Sequence, residues 1–152
     1  MSVLSEWAFH IHLIAAISWI GGSMFMFVLG VTLRDKQAQQ SVYPHVGPIF
    51  GWFEAAVFVV LLITGGILGI EYGLFDLFAH PNGTPVSDAL QKKVWLVITL
   101  AVPTVIHFVV AYRTNDRERT PLEHLLSRAS SMAIFFLNLL VMHYAIMLRD
   151  IL

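Results

Sequence analysis

The sequence contains no cysteine. That excludes disulfides, thiolate metal sites and thioether-linked haem, and it leaves the redox compartment open. Charge is nearly as scarce. Asp, Glu, Lys and Arg together make up 12% of the chain, about half the share in a soluble domain. Nine basic residues against ten acidic ones leave a net charge of −1, so no basic surface exists to hold nucleic acid. No internal repeat, low-complexity tract or domain boundary stands out either. What the chain does have is apolar residues, 57% of the total, and a mean hydropathy of +0.74.

The apolar residues fall in four runs, roughly 7–33, 46–70, 94–112 and 129–148. Each is close to or above the ~20 residues with which a helix crosses a ~30 Å hydrocarbon core. The fold expected is therefore all-α: a polytopic membrane protein, a four-transmembrane-helix bundle, one domain over 1–152. Helices are expected at about 5–33, 46–70, 92–113 and 124–149. The first run does not read as a cleavable signal peptide, because it lacks a basic start and carries a histidine pair. Basic residues set the orientation. The first and third connections hold Arg34, Lys36, Arg113, Arg117, Arg119 and Arg128, against Lys92, Lys93 and Arg149 on the other side. By the positive-inside rule both termini lie outside the cytoplasm, and a bacterial inner membrane is the expected location.

Polar residues inside the runs carry the functional information. On the first helix, residues two apart point about 200° apart, so His10 and His12 cannot share a face. His12 falls with Ala16, Trp19, Ser23, Met26 and Gly30 on the smaller and more polar face, which is taken as the inward one. His10 then points elsewhere, toward another subunit in a possible homodimer. The second helix carries a stripe of Gly47, Gly51, Glu54, Phe58, Leu61, Gly65 and Gly69. Such a stripe serves close helix packing or clears space for a flat cofactor. Glu54 lies two turns inside the membrane, where a carboxylate is costly and is paired or functional. In the third helix Pro103 interrupts the backbone ladder, and His107 follows on the same face as Thr104. The fragment YGLFDLF in the long second connection suits the membrane interface.

Depth then pairs the histidines. Counted from the expected helix ends at about 1.5 Å per residue, His12 and His143 lie near the outer side, and His107 lies near the inner side with His45 or Glu54. Imidazoles from two helices of a bundle can ligate haem iron from both faces. Lys92, Lys93 and Arg149 at the outer rim, and Arg34 and Arg113 at the inner rim, could pair with propionates. Trp19 and Phe136 would wall the ring. The bland alternative for each histidine is a hydrogen-bonded packing residue, and for Glu54 a hydrogen bond to His107. His80 and His124 fall in loops. A copper reading uses Met24, Met26, Met132, Met142 and Met147 with imidazole as soft ligands, although methionine is also an ordinary apolar filler.

His12, Trp19 seven residues later and Gly21-Gly22 resemble the first-helix pattern of the small four-helix membrane proteins grouped around CopD-type copper-resistance proteins and HemJ-type protoporphyrinogen oxidases. Lys92 or Lys93 opening the third helix, with His107 about four turns on, is similar to that group as well. The resemblance implies haem b as cofactor, with His12 and His107 as ligands, and a membrane-embedded redox role. The oxidase members carry a Pro-Arg pair near the end of the first helix, where this chain reads FMFVLGVTLRD. The expectation is a b-type cytochrome with one or two haems held by His12, His143, His107 and His45. Its partners would be the lipid bilayer and a quinone or redox partner protein. The alternatives are a haem-dependent protoporphyrinogen oxidase and a copper transport or resistance protein.

Overall fold

The structure is a computed structural model that describes residues 2–114, 117 and 119–151. It is all-α, with five helices: α1 (Val3–Thr32), α2 (Lys36–Glu71), α3 (Leu74–Ala79), α4 (Pro85–Arg113) and α5 (Pro121–Ile151). Four of them, α1, α2, α4 and α5, are long and apolar enough to cross a membrane. The short α3 lies where an interfacial fragment is expected.

Helix starts follow local chemistry more than hydropathy. The second helix is expected to begin at 46, yet α2 reaches back to Lys36. The Asp35 side chain accepts from the Ala38 amide at 2.8 Å, and the segment that follows is rich in helix formers. Pro44 and Pro48 are absorbed inside the helix. At 36 residues, α2 is about 54 Å long, so roughly 24 Å of it extends past a ~30 Å core. α4 opens at Pro85, whose missing amide hydrogen costs nothing in a first turn, with the Thr84 hydroxyl capping Ser87 at 3.3 Å. α5 opens with a reciprocal box. The Thr120 hydroxyl accepts from the Glu123 amide at 3.3 Å, and the Glu123 carboxylate accepts from the Thr120 amide at 2.9 Å.

The long helices form a square. α1 packs on α2 and α5, and α4 packs on α2 and α5; among the described residues neither diagonal pair comes close. Neighbours run antiparallel. Along α1 the contacts His12–Gly65, Trp19–Phe58 and Gly22–Phe53 descend α2, while Ser23–Asn138 and Phe27–Phe135 descend α5. Lys92–Tyr144 and His107–Ser130 do the same between α4 and α5. The buried positions of α1 are small or aromatic: Ser5, Ala8, Ala15, Trp19 and Ser23. Large aliphatic side chains such as Ile14, Ile17, Ile63 and Val102 point outward, as packing in lipid favours.

The glycine stripe of α2 turns out to make room for rings of this same chain. A Cβ at Gly65 would stand 3.3 Å from His12 Cε1, one at Gly51 3.9 Å from Phe108, and one at Gly69 2.8 Å from Phe75.

In the middle of the bundle the Asn138 amide donates to Ser23 Oγ at 3.2 Å, and both residues are buried. This bond joins the first and last transmembrane helices. A double-mutant cycle with Ser23→Ala and Asn138→Ala, unfolded in detergent, is expected to return a coupling of about 0.5–1.5 kcal/mol. A value indistinguishable from zero would mean that α1 and α5 are held by packing alone.

Candidate functional site

Two of the expected site histidines face inward. The buried positions of α1 bracket His12 at helical spacing, and its Nδ1 lies 2.8 Å from Thr64 Oγ1 on α2. His10 is exposed and bonds the Glu6 carbonyl of its own helix at 2.8 Å. His107 sits on α4 with Nδ1 3.2 Å from Ser130 Oγ on α5.

Where each hydroxyl sends its hydrogen decides the protonation of each ring, and that hydrogen is assigned to a carbonyl of the hydroxyl's own helix. Thr64 Oγ1 donates its single hydrogen to the Val60 carbonyl at 2.6 Å, so toward His12 it can only accept. The proton therefore lies on His12 Nδ1, and the lone pair is on Nε2. Ser130 Oγ likewise donates to the Ser127 carbonyl at 3.1 Å, which places a proton on His107 Nδ1 and a lone pair on its Nε2. Two imidazoles on different helices are thus set in the same tautomer by the same device. Lys93 lies toward the outer end of α4, and Arg119 lies beyond its inner end, just ahead of α5. Arg119 is itself held by Thr114 Oγ1 at 2.9 Å and Ser127 Oγ at 3.2 Å.

The expected pairs are not brought together. His143 is exposed; it lies about 180° around α5 from the buried Ile134, and its ring contact is with neighbouring Tyr144. His45 is exposed, with Nδ1 2.9 Å from the Ser41 carbonyl, one turn back on its own helix. Nor does His107 meet Glu54, because its ring is turned to α5. Arg113, the expected inner-rim cation, is exposed; Arg119 takes that place. His12 and His107 cannot share one ligand atom. Thr64, beside His12, and Gly51, level with His107, are thirteen residues apart on α2, about 20 Å.

Trp19 is 2% exposed and packs against Phe58 with ring centroids 5.1 Å apart, while its indole N–H has no protein partner. Phe136, expected to wall a ring beside it, is exposed. The methionines do not gather around either imidazole: Met24, Met132, Met142 and Met147 are all exposed. Among the described residues no three His, Asp or Glu side chains come together as a metal cage. Thr64, Ser130, Arg119 and Asn138 are the polar residues that sequence reasoning passed over or left without a site role. A serine or threonine in a membrane helix carries no distinguishing signal until its neighbour is known.

The fold and its interior define a four-helix integral membrane protein with two half-buried, inward-facing histidines, each within hydrogen-bond distance of a hydroxyl on a neighbouring helix. The chain matches no protein-family model, no curated protein and no solved structure.

Thr64→Val keeps the shape and removes the acceptor for His12 Nδ1–H. It is expected to cost about 1–3 kcal/mol, the penalty for stranding a buried donor, and to let the ring populate the other tautomer. Nitrogen-15 spectra of the histidine rings would report both states. An unchanged His12 signal would show that Thr64 does not hold the ring.

Proposed function

We propose that this chain is a membrane-embedded b-type haem protein that passes electrons within the bilayer, with His12 and His107 as ligands and a quinone or a partner redox protein as the other party. The observation that carries the reading is that each Nδ1 lies within hydrogen-bond distance of a hydroxyl oxygen on a neighbouring helix, which leaves each Nε2 for a ligand. Metal-ligating histidines commonly donate their second ring N–H to an oxygen that orients them and raises their basicity, and both Nδ1–H groups here are spent in that way. The donor set fits haem in a second respect. Lys93 and Arg119 supply one cation toward each end of the bundle, suited to an anionic propionate. Bound haem would supply one-electron chemistry that amino acids lack. The chain would hold and orient it, keep water away with its apolar walls, and balance its charge. Because the two imidazoles are about 20 Å apart along the bundle, each site offers one ligand from this chain.

The copper alternative is less well supported, since Met24, Met132, Met142 and Met147 are exposed. A haem-dependent protoporphyrinogen oxidase would use the same ligands and is separated by an assay with protoporphyrinogen and a quinone. Homodimerisation and both termini outside the cytoplasm complete the proposal.

The test is the visible spectrum of detergent-purified protein, as isolated and after haem addition. A Soret band is expected. His12→Ala and His107→Ala should each remove the haem of their own site, whereas His143→Ala and His80→Ala should leave the spectrum unchanged. Protein that stays colourless in both preparations, or full haem content in both inner-histidine variants, would overturn the reading.

A further inference from the structure

Glu54 is used by neither histidine site. Its residue is 6% exposed and stands near the middle of α2, and among the described residues it makes no hydrogen bond or ion pair. The elements packed against α2 bring it no counter-charge. At the level of Glu54, α1 offers Gly22 and Ser23; its own titratable group nearest the interior, His12, is at Thr64, ten residues along α2. On α4 the nearest titratable group is His107, a turn toward the inner end and turned to α5, while Lys93 lies toward the outer end of α4. Asp76 of α3 is at the outer end and exposed. A carboxylate with no partner in such a place is far costlier than the neutral acid.

The surroundings of Glu54 also differ in the two directions along α2. Toward the outer side, one turn away, Phe58 packs against Trp19 and fills the interior. Toward the inner side, Gly51 and Gly47 continue the same helix face. A Cβ at Gly51 would meet only Phe108, at 3.9 Å, and one at Gly47 would meet nothing within 4 Å. Toward the inner end this face of α2 is thus lined by glycines, with the Phe108 ring against Gly51, while an aromatic pair closes the other way.

We propose that Glu54 is a proton-binding site within the membrane span, exchanging its proton with the inner face along the Gly51–Gly47 strip. The ligand is the proton, and the site stands whether or not haem binds.

Infrared spectroscopy of the detergent-purified protein at neutral pH reads it directly. Wild type should show the C=O stretch of a protonated carboxyl, and the band should shift in D2O and be missing from Glu54→Gln. Gly51→Leu, which fills the strip, should slow the D2O shift at least tenfold, and Gly66→Leu, a glycine off that face, should leave it unchanged. Should Glu54→Gln not fold, Glu54→Asp should keep a carboxyl band at a displaced frequency. The absence of any Glu54-dependent band, or a band that never responds to D2O, overturns the site. An unchanged exchange rate in Gly51→Leu overturns the inner route.

Discussion

In hydrocarbon a helix must spend its backbone hydrogen bonds on itself, and everything else in this bundle follows from that constraint. Backbone groups are unavailable to join helices, so polar joining falls to a few side chains. Even those first look to their own helix. Thr64, Ser130, Ser23, Thr104 and Thr114 each send their hydroxyl hydrogen to a carbonyl three or four residues back. Once that hydrogen is committed, the oxygen is an acceptor only. It can join a neighbour solely by receiving a donor, and the donors present are the His12 and His107 rings, the Asn138 amide and the Arg119 guanidinium. One rule thus fixes both the helix contacts and the histidine tautomers.

The same constraint explains the inverted distribution of size. Lipid rewards no burial of Ile or Val, so these residues stay outside, and the interior belongs to small residues that let rings and amides approach. Gly65 is an instance. Its missing Cβ is what allows the His12 ring to lie against α2 while its Nδ1 reaches Thr64, one residue away. Tolerance for a ring and the hydrogen bond that orients it come from adjacent residues of one turn.

Much of this was legible in the sequence, and the failures have definite causes. Helix number followed from hydropathy, and the inward face of α1 from period alone, since His12, Trp19 and Ser23 repeat at helical spacing and His10 does not. Pairing by depth failed. It ignored rotation. His143 has the right residue type but lies on the side of α5 opposite Ile134, and depth carries no information about angle. Arg113 and Arg119 show a related problem: both are inner-side cations by sequence, but only the loop's path decides which one reaches Ser127 on α5. Thr64 and Ser130 were invisible because a hydroxyl becomes informative only through its partner.

Two imidazoles held alike at opposite ends of a bundle, about 20 Å apart, cannot serve a single atom, so any joint role must be carried by what lies between them. That region is not uniformly apolar. It holds Trp19, Ser23, Glu54, Thr104 and Asn138, all buried, and every transmembrane helix contributes at least one. Ser23 accepts the Asn138 amide and Thr104 bonds its own helix, while the Trp19 indole N–H has no protein partner and Glu54 makes no hydrogen bond or ion pair among the described residues. An interior built only for stability would replace both with hydrocarbon of similar shape, because an unmatched polar group in lipid costs more than it returns. A charge arriving at either histidine would be felt along this column, since the medium screens it poorly. Glu54 is the one titratable group in that column.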